Sequence, residues 1–411
     1  MKYNVIKPDY YDDFSCIGGD CSYHCCQKWS IHLSQKEYKK LKNARLSPEL
    51  KKVREQALSR IRTNSSTTRY AKMKLNADGD CPMLSESGLC RLQLEGGEES
   101  LSQVCRTFPR LNALSAGVLE RHLSLACEVV VKLIMGKKDG IALVSQEEEL
   151  KEDLRVFSLE LAGEKKRAIY DCVFDIKVLA VAALQCRSLS LDDRFLLLGM
   201  FLKHIDELEA EKKEAEIPAY VDSMLSLLDT EELSEMWKGM KGDTNLQAMS
   251  MGILITNYYK GGMSSVSEAV KEKLKNIGVS AEADETGELV YTCNLETYEK
   301  SKERVRRFFS GREYILENIL VTWFFTTRQP FHFREKSVWE NYLSFAGLYQ
   351  LLKGFLQCEL SDKSTDEEFI QLIVKISRNL THNEENQETL LKRARLRGTE
   401  DLASLAILIK D

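Results

Sequence analysis

Four cysteines fall within eleven residues near the start of the chain, in the stretch FSCIGGDCSYHCCQKW. They are Cys16, Cys21, Cys25 and Cys26, and the last two are adjacent. Thiolates on a short loop can aim several sulfurs at one centre, which zinc ions and iron–sulfur clusters both require. The spacing C-x4-C-x3-C-C therefore predicts a metal-binding loop.

More thiols follow within the first third of the chain. The loop CPMLSESGLC runs from Cys81 to Cys90, where Gly79 and Gly88 allow tight bends, and Cys105 opens the stretch CRTFPR. Together with the first four these make eight candidate metal ligands: Cys16, Cys21, Cys25, Cys26, Cys81, Cys90, Cys105 and Cys127. Eight thiols suffice for two four-cysteine sites, or for one site with spare ligands.

The residues alone do not decide whether the metal is zinc or an iron–sulfur cluster. Typical zinc sites use CxxC knuckles, which this chain lacks, whereas an adjacent cysteine pair with uneven spacing favours an iron–sulfur cluster. His24 and His122 can each replace a thiolate, or can be surface or supporting groups. Some of the eight thiols can instead be small buried hydrophobes. Four later cysteines occur singly in apolar helical patterns and are expected to be structural: Cys172, Cys186, Cys293 and Cys358.

Composition narrows the class of protein. The 411 residues are 43% hydrophobic and 29% charged, as in a globular protein with a real core. The net charge of −5 argues against a nucleic-acid partner, because phosphate binding usually comes with a basic excess. The N-terminus has no apolar core of signal-peptide length, and apolar runs such as VLAVAAL are too short to span a bilayer. We expect a cytoplasmic protein without a membrane partner, whose thiols stay reduced and bind metal.

Apolar spacing of three and four residues dominates from residue 120 onward, beginning with ERHLSLACEVVVKLIM. The segment KKLKNARLSPELKKVREQALSR also fits one helix, whereas LVYTC has strand character after a loop. The predicted fold is mainly α. A loop-rich, cysteine-rich metal domain at residues 1–130 packs on an all-helical body at residues 131–411. The glycine pairs do not lie in a strand–turn–helix frame, so no Rossmann-type domain is expected.

Several motifs together resemble a known family. FSCIGGDCSYHCCQKWSI, then GDCPMLSESGLCRLQLEGGEESLSQVCRTFPR, and more weakly VWENYLSF and SRNLTHN, are similar to the flagellin lysine-N-methylase family. The cysteine array alone also resembles zinc- or iron-chelating domain proteins. The resemblance implies a cytoplasmic enzyme that methylates lysine ε-amino groups on flagellin. It further implies S-adenosylmethionine as the methyl donor and an iron–sulfur cluster, of the 4Fe-4S type, held by the cysteines.

Methylation of lysine requires a place to remove the ammonium proton, since the free pKa is about 10.4. Tyr342 and His382, in polar clusters on apolar helices, are candidates for the proton acceptor. Arg106 and Arg110 can anchor a carboxylate or phosphate of the donor, or can brace the metal loop. Trp29 can pack over the cysteine loop or stack on adenine.

The cluster is not needed to make the new bond, because a sulfonium donor is already activated. It therefore either shapes the fold or helps to hold the donor, for example at an open iron on a cluster with three cysteine ligands. The main alternative to a methyltransferase is a non-catalytic, metal-stapled helical binder of flagellar subunits. Radical chemistry is a third option, although the CxxxCxxC spacing typical of it is absent.

Overall fold

A computed structural model provides the fold. It describes the chain except residues 1, 30, 64, 150–155, 160–166, 229, 231–232, 234–240, 261–265, 382–387 and 393–399. The prediction of a mainly α protein is confirmed, with 55% helix and 14% strand. Within the described part of the chain, no helix is both long enough and apolar enough to cross a bilayer.

The chain forms two compact units that are not contiguous in sequence. The first unit contains Met1–Ile134, Ala142–Ser158 and Ile373–Arg378. The second contains Met135–Ile141, Leu159–Leu372 and Asn379–Asp411. A late segment of the chain, Ile373–Arg378, thus belongs to the same unit as the cysteine loops.

The first unit is built on a five-stranded sheet that the sequence patterns did not reveal. Its strands are β1 (Lys2–Pro8), β5 (Arg110–Ser115), β6 (Val118–Leu123), β7 (Leu143–Glu149) and β8 (Phe157–Ser158). The order is β7-β1-β6-β5-β8, with β1 and β6 parallel and β5 and β6 forming a hairpin. This mixed sheet differs from the doubly wound parallel sheet of a Rossmann fold.

A smaller sheet in the first unit carries the cysteine loops. It comprises β2 (His32–Leu33), β3 (Leu58–Arg60) and β4 (Ala71–Met73), in the order β2-β4-β3. The described α-helices of this unit are Gln35–Lys42, Pro48–Ala57, Arg91–Gly96, Gln103–Thr107 and Glu128–Met135, the last residue of which belongs to the second unit. A further helix, Asp366–Ile376, begins in the second unit, and its residues from Ile373 onward belong to the first. Leu33, Leu50, Ala71, Met83 and Leu92 form the centre of a buried cluster against which Cys81 and Cys90 pack.

The second unit is almost entirely helical. Its other described α-helices are Val173–Leu184, Leu191–Ala210, Ile217–Leu228, Thr244–Lys260, Glu268–Asn276, Leu295–Phe309, Tyr314–Thr326, Val338–Glu359 and Leu402–Ile409. The hairpin β9 (Val279–Ala283) and β10 (Leu289–Cys293) is its one described β-sheet. The expected helical character of this part of the chain is confirmed, but the expectation of an all-helical body at residues 131–411 is wrong, because β7, β8 and this hairpin lie within that range.

Three local predictions were wrong. The segment ERHL is the end of strand β6 and not the start of a helix, because β6 pairs with both β1 and β5. The expected single helix around residue 45 is two helices, since Pro48 disfavours helical backbone at Ser47, whose hydroxyl instead accepts from Leu50 N. LVYTC is strand β10 as predicted, but the first part of the expected loop before it, Val279–Ala283, is strand β9.

Candidate metal centre

Five of the eight predicted cysteines surround one cavity in the first unit. The cavity has a volume of about 100 Å³. Its cysteine side chains are Cys25, Cys26, Cys81, Cys90 and Cys105. The other lining residues are mainly apolar and include Trp29, Met83, Leu92 and Phe108. Cys25 and Cys105 also keep some solvent-exposed surface as residues, although burial raises the pKa of the Cys105 thiol to about 12.

Backbone contacts between the two predicted loops bring these thiols together. The Cys81 N–H donates to the Cys26 carbonyl at 2.7 Å, and Gln27 forms a β-bridge with Asp80. Cys90 then precedes the helix Arg91–Gly96, in which the Arg91 N–H donates to Met83 O at 2.7 Å. The loops are therefore joined by main-chain hydrogen bonds, which hold their sulfurs around the cavity.

Glycines allow this close approach of the two loops. Gly88 has φ +73°, and an added Cβ would lie 2.6 Å from Cε1 of His24. A Cβ on Gly19 would lie 2.5 Å from the carbonyl oxygen of Ser87. The bend predicted at Gly88 is confirmed, and its glycine is also required because the His24 ring occupies the space beside it.

The thiols of the cavity influence one another. The Cys26 thiol hydrogen-bonds to Cys25 and to Cys90. Donation from Cys26 lowers the pKa of Cys25 to about 7 and that of Cys90 to about 6. The same two hydrogen bonds raise the pKa of Cys26. Hydrogen bonds from Cys26 thus favour the thiolate forms of Cys25 and Cys90, which are the forms that bind metal.

The other three predicted ligands form a separate group. Cys16, Cys21 and Cys127 are not among the residues that line the cavity. Burial, with Glu128, Cys127 and Cys16 nearby, raises the pKa of Cys21 to about 12, and burial raises that of Cys127 to about 11. The eight thiols therefore divide into five around the cavity and three beside it.

A zinc ion and an iron–sulfur cluster place different demands on the thiols of the cavity. A zinc ion needs four ligand atoms at about 2.0–2.3 Å from one point. Among the described residues, no three histidine, cysteine, aspartate or glutamate side chains are grouped to hold one metal ion. An iron–sulfur cluster takes its cysteines on separate irons, so thiols spaced around an apolar cavity suit it. The available donor set is Cys25, Cys26, Cys81, Cys90 and Cys105.

Trp29, Arg106 and Arg110 lie close to this region in different roles. The Trp29 indole N–H donates to the Cys25 carbonyl, and its ring meets Phe108 edge-on at 5.1 Å. Arg106 lies 4.0 Å from a carboxylate oxygen of Glu98. Arg110 stacks on the ring of Phe14 at 4.9 Å. Trp29 therefore packs over the cysteine loop, and both arginines have partners within the protein.

The candidates His122 and Tyr342 do not line the cavity. His122 is buried in β6, 3.6 Å from Glu120 Oε2. Tyr342 is fully buried in the second unit, where its hydroxyl donates to the Phe195 carbonyl at 3.0 Å and burial raises its pKa well above 10. These surroundings leave the phenol no open approach for an amine, so its role as proton acceptor stays an unsupported prediction. His382 lies outside the described residues.

The four cysteines predicted to be structural are dispersed through the second unit. Cys172 donates to the Glu214 carbonyl, Cys186 to the Leu228 carbonyl, and Cys293 to Asn245 Oδ1. Cys358 is buried, and burial raises its pKa to about 12. Each has its own local environment, in contrast to the shared cavity of the first unit.

Sequence reasoning missed two buried charges beside the cysteine loop. Glu128 Oε2 accepts from the N–H groups of Ser22 and Tyr23 at 3.0 and 3.1 Å. Arg378 lies four positions before His382 in the sequence, and its guanidinium donates to carbonyls of this same loop. A single arginine in an apolar helical pattern was the available signal, and it did not indicate a partner 355 positions away.

The fold and cavity define a mainly helical protein with a cysteine-rich centre in its first unit. A family model described as the FliB lysine N-methylase C-terminal domain matches residues 177–408. This match covers more than half of the chain, and the chain therefore belongs to the FliB lysine N-methylase family. The resemblance seen in the sequence motifs is thus confirmed.

Curated relatives agree with the family. The flagellar biosynthetic protein FliU of Salmonella muenchen is 34% identical over 140 residues, which are 34% of this chain and 81% of the relative. Lysine-N-methylases of Salmonella choleraesuis and Salmonella typhimurium are each 33% identical over 140 residues, which are 34% of this chain and 34% of each relative. The match thus spans about a third of these two enzymes. No solved structure matches the chain.

Proposed function

We propose that the protein is an S-adenosylmethionine-dependent lysine N-methyltransferase of the cytoplasm, with flagellin as its substrate and a metal cluster in the five-cysteine cavity. Membership of the FliB lysine N-methylase family is the observation that carries the proposal. The names of the relatives, lysine-N-methylase and flagellar biosynthetic protein, support the reaction and the flagellar substrate. The mainly helical fold is compatible with a donor site of a non-Rossmann kind.

The reaction balances without any redox partner. The lysine amine first loses a proton and then attacks the methyl carbon of the sulfonium donor. The nitrogen–carbon bond forms as the carbon–sulfur bond breaks, which leaves methyllysine and S-adenosylhomocysteine. The protein must therefore desolvate or deprotonate the amine and align it with the methyl group.

Cys25, Cys26, Cys81, Cys90 and Cys105 would hold the cluster, whose contribution when bound is an ordered fold of the loops or a site for the donor's amino and carboxylate groups. The apolar side chains Met83, Leu92 and Phe108 would exclude water from it. Trp29 fixes the Cys25 carbonyl by its indole N–H. A 4Fe-4S cluster is the proposed form, with zinc as the alternative.

The first test is made on full-length protein purified without oxygen. Visible absorbance is measured together with bound iron, sulfide and zinc. A brown protein with matched iron and sulfide supports the cluster, whereas a colourless protein with near-stoichiometric zinc rejects it. The latter result would mean that the cysteines bind zinc and stabilise the fold.

The enzymatic part is tested separately. S-adenosylmethionine and S-adenosylhomocysteine should each raise the melting temperature, and flagellin incubated with donor should gain methyl groups on lysine by mass spectrometry. If neither ligand changes the melting temperature and flagellin binds without modification, the protein is instead a metal-stapled binder of flagellar subunits. Release of methionine and deoxyadenosine under reductant would indicate radical chemistry.

A further inference from the structure

Arg378 lies at the end of the late segment that belongs to the first unit, and its side chain is buried with 5% exposure. Its guanidinium donates four hydrogen bonds to main-chain carbonyls. Nε donates to Ala126 at 3.1 Å, and Nη2 donates to Tyr23 at 2.9 Å. Nη1 donates to His24 at 3.0 Å and to Gln27 at 3.1 Å. The guanidinium thus spans the turn that carries Cys25 and Cys26.

The environment of Arg378 is unusual for a buried cation. Buried arginines are normally paired with a carboxylate, because an isolated charge is costly to desolvate. Among the residues with described positions, no carboxylate lies within ion-pair distance of Arg378; its nearest ring contact is Tyr23, at 4.1 Å from the centroid. The guanidinium is therefore used almost entirely to hold backbone.

Glu128 binds the backbone N–H groups of the same turn, whereas Arg378 binds its carbonyl groups. One carboxylate oxygen accepts from the N–H of Ser22 and of Tyr23, and the Glu128 residue is 3% exposed. Tyr23 is therefore bound on both sides, with its N–H on an anion and its C=O on a cation. Hydrogen bonds to charged groups are stronger than neutral ones, so this arrangement fixes the turn more firmly than its own short-range bonds would.

We propose that Arg378 and Glu128 are positioning residues that clamp the turn of residues 22–27, so that Cys25 and Cys26 are held at the cavity. Arg378 is the principal member because only a planar guanidinium can reach several carbonyls in different directions. The clamp also places a permanent positive charge near the sulfurs, which favours an anionic metal–thiolate centre. This last consequence rests on the proposed metal function, whereas the clamp itself does not.

The test compares Arg378→Gln and Arg378→Lys with Arg54→Gln in the full-length protein. Arg54 is a matched control, because it is also buried in the first unit and also donates to main-chain carbonyls, those of Leu41 and Ala44. Amide hydrogen exchange is followed by mass spectrometry on peptides that contain residues 21–29 and 124–128. Arg378→Gln should speed exchange there by at least about tenfold, since several charge-assisted bonds are lost.

The variants Arg378→Lys and Arg54→Gln distinguish a positioning role of Arg378 from a general loss of stability. Arg378→Lys should show an intermediate increase, because it keeps the charge but cannot replace four bonds. Arg54→Gln should instead speed exchange around residues 38–58. Should Arg378→Gln prove insoluble, Arg378→Lys and Glu128→Gln carry the test, and both should affect residues 21–29 before the rest of the chain. Unchanged exchange at residues 21–29, or an equal change in the Arg54 variant, would overturn the clamp.

Metal retention supplies a second readout. Loss of iron or zinc to a chelator should be about 10–100-fold faster in Arg378→Gln than in the parent and unchanged in Arg54→Gln. Retention equal to the parent would overturn the functional part of the inference. A parent protein without any metal would reject the proposed centre itself, and the exchange result would still decide whether the clamp exists.

Discussion

The buried carboxylates of the second unit and the clustered thiols of the first unit have different kinds of partner. In the second unit, Glu317 is 1% exposed and accepts from Arg187 and Arg194 at 2.7–2.9 Å. Asp192 likewise accepts from Tyr349 at 2.6 Å and from Lys353 at 2.9 Å. These charges are neutralised within the unit, which is how a helical core accommodates them.

In the first unit, the grouped polar side chains are thiols and one buried arginine. Five thiols share a cavity in which Cys26 hydrogen-bonds to Cys25 and to Cys90. The buried guanidinium of Arg378 beside them donates to main-chain carbonyls. The buried carboxylates of the second unit thus have cationic partners in the same unit, whereas the grouped thiols of the first unit are the donor set of the proposed metal centre.

The largest expected effect comes from removal of a shared thiol. Cys26→Ser should reduce bound metal per chain at least about tenfold and abolish methyl transfer, because Cys26 lies between Cys25 and Cys90. Cys293→Ser is the control in the second unit and should keep both. Metal analysis of the two variants, purified side by side without oxygen, checks the prediction. Equal loss in both would remove the contrast between the units.

Removal of Glu317 should be the most destabilising change in the second unit. Glu317→Gln leaves two guanidinium groups without their anion and should lower the free energy of unfolding by about 3–5 kcal/mol. Arg187→Gln should cost much less, because the Arg187 side chain is 44% exposed. Urea unfolding measures both. A cost below 1 kcal/mol for Glu317→Gln would show that this network does not stabilise the unit.

Gly88→Ala tests the contact between the cysteine loops. The positive φ and the nearby His24 ring together should cost about 1–3 kcal/mol, with a matching loss of bound metal. Gly117→Ala has a similar φ of +77° and open space around its Cβ, so it should cost less and leave the metal unchanged. Thermal unfolding and metal content distinguish the two effects. His24→Ala in the Gly88→Ala background should restore part of the loss.

The smallest effect concerns His332, a buried histidine of the second unit. Burial, with Arg328 nearby, lowers its pKa to about 3 from an ordinary value of 6.5. Below pH 6.5 the unfolded chain therefore binds a proton that the folded chain does not, so stability is present above that pH and is lost as the pH falls. Between pH 7 and pH 5 the loss should reach about 2 kcal/mol.

His332→Gln should remove this slope while leaving the pH dependence of the first unit unchanged. Unfolding by urea at several pH values compares the variant with the parent. Parallel curves for the two proteins would mean that His332 is protonated in the folded state.

Much of the fold could be predicted because helical periodicity is local. The helices Leu191–Ala210 and Val338–Glu359 follow from apolar spacing, and Ser190 caps the first of them through its hydroxyl. The sheet of the first unit could not be predicted in this way. Strand β6 carries spacing that also fits a helix, and its pairing with β1 joins residues more than a hundred positions apart.

The candidate site shows the same division. Residue type and spacing along the chain determined that thiols would gather in the first third, that Gly88 would bend the second loop, and that the later cysteines would lie apart. The tertiary structure alone decided that five thiols share the cavity while Cys16, Cys21 and Cys127 lie beside it. It also brought Arg378 to the cysteine turn. The physical reason is that turn geometry and helix propensity act between near neighbours, whereas long-range contacts depend on how the complete chain packs.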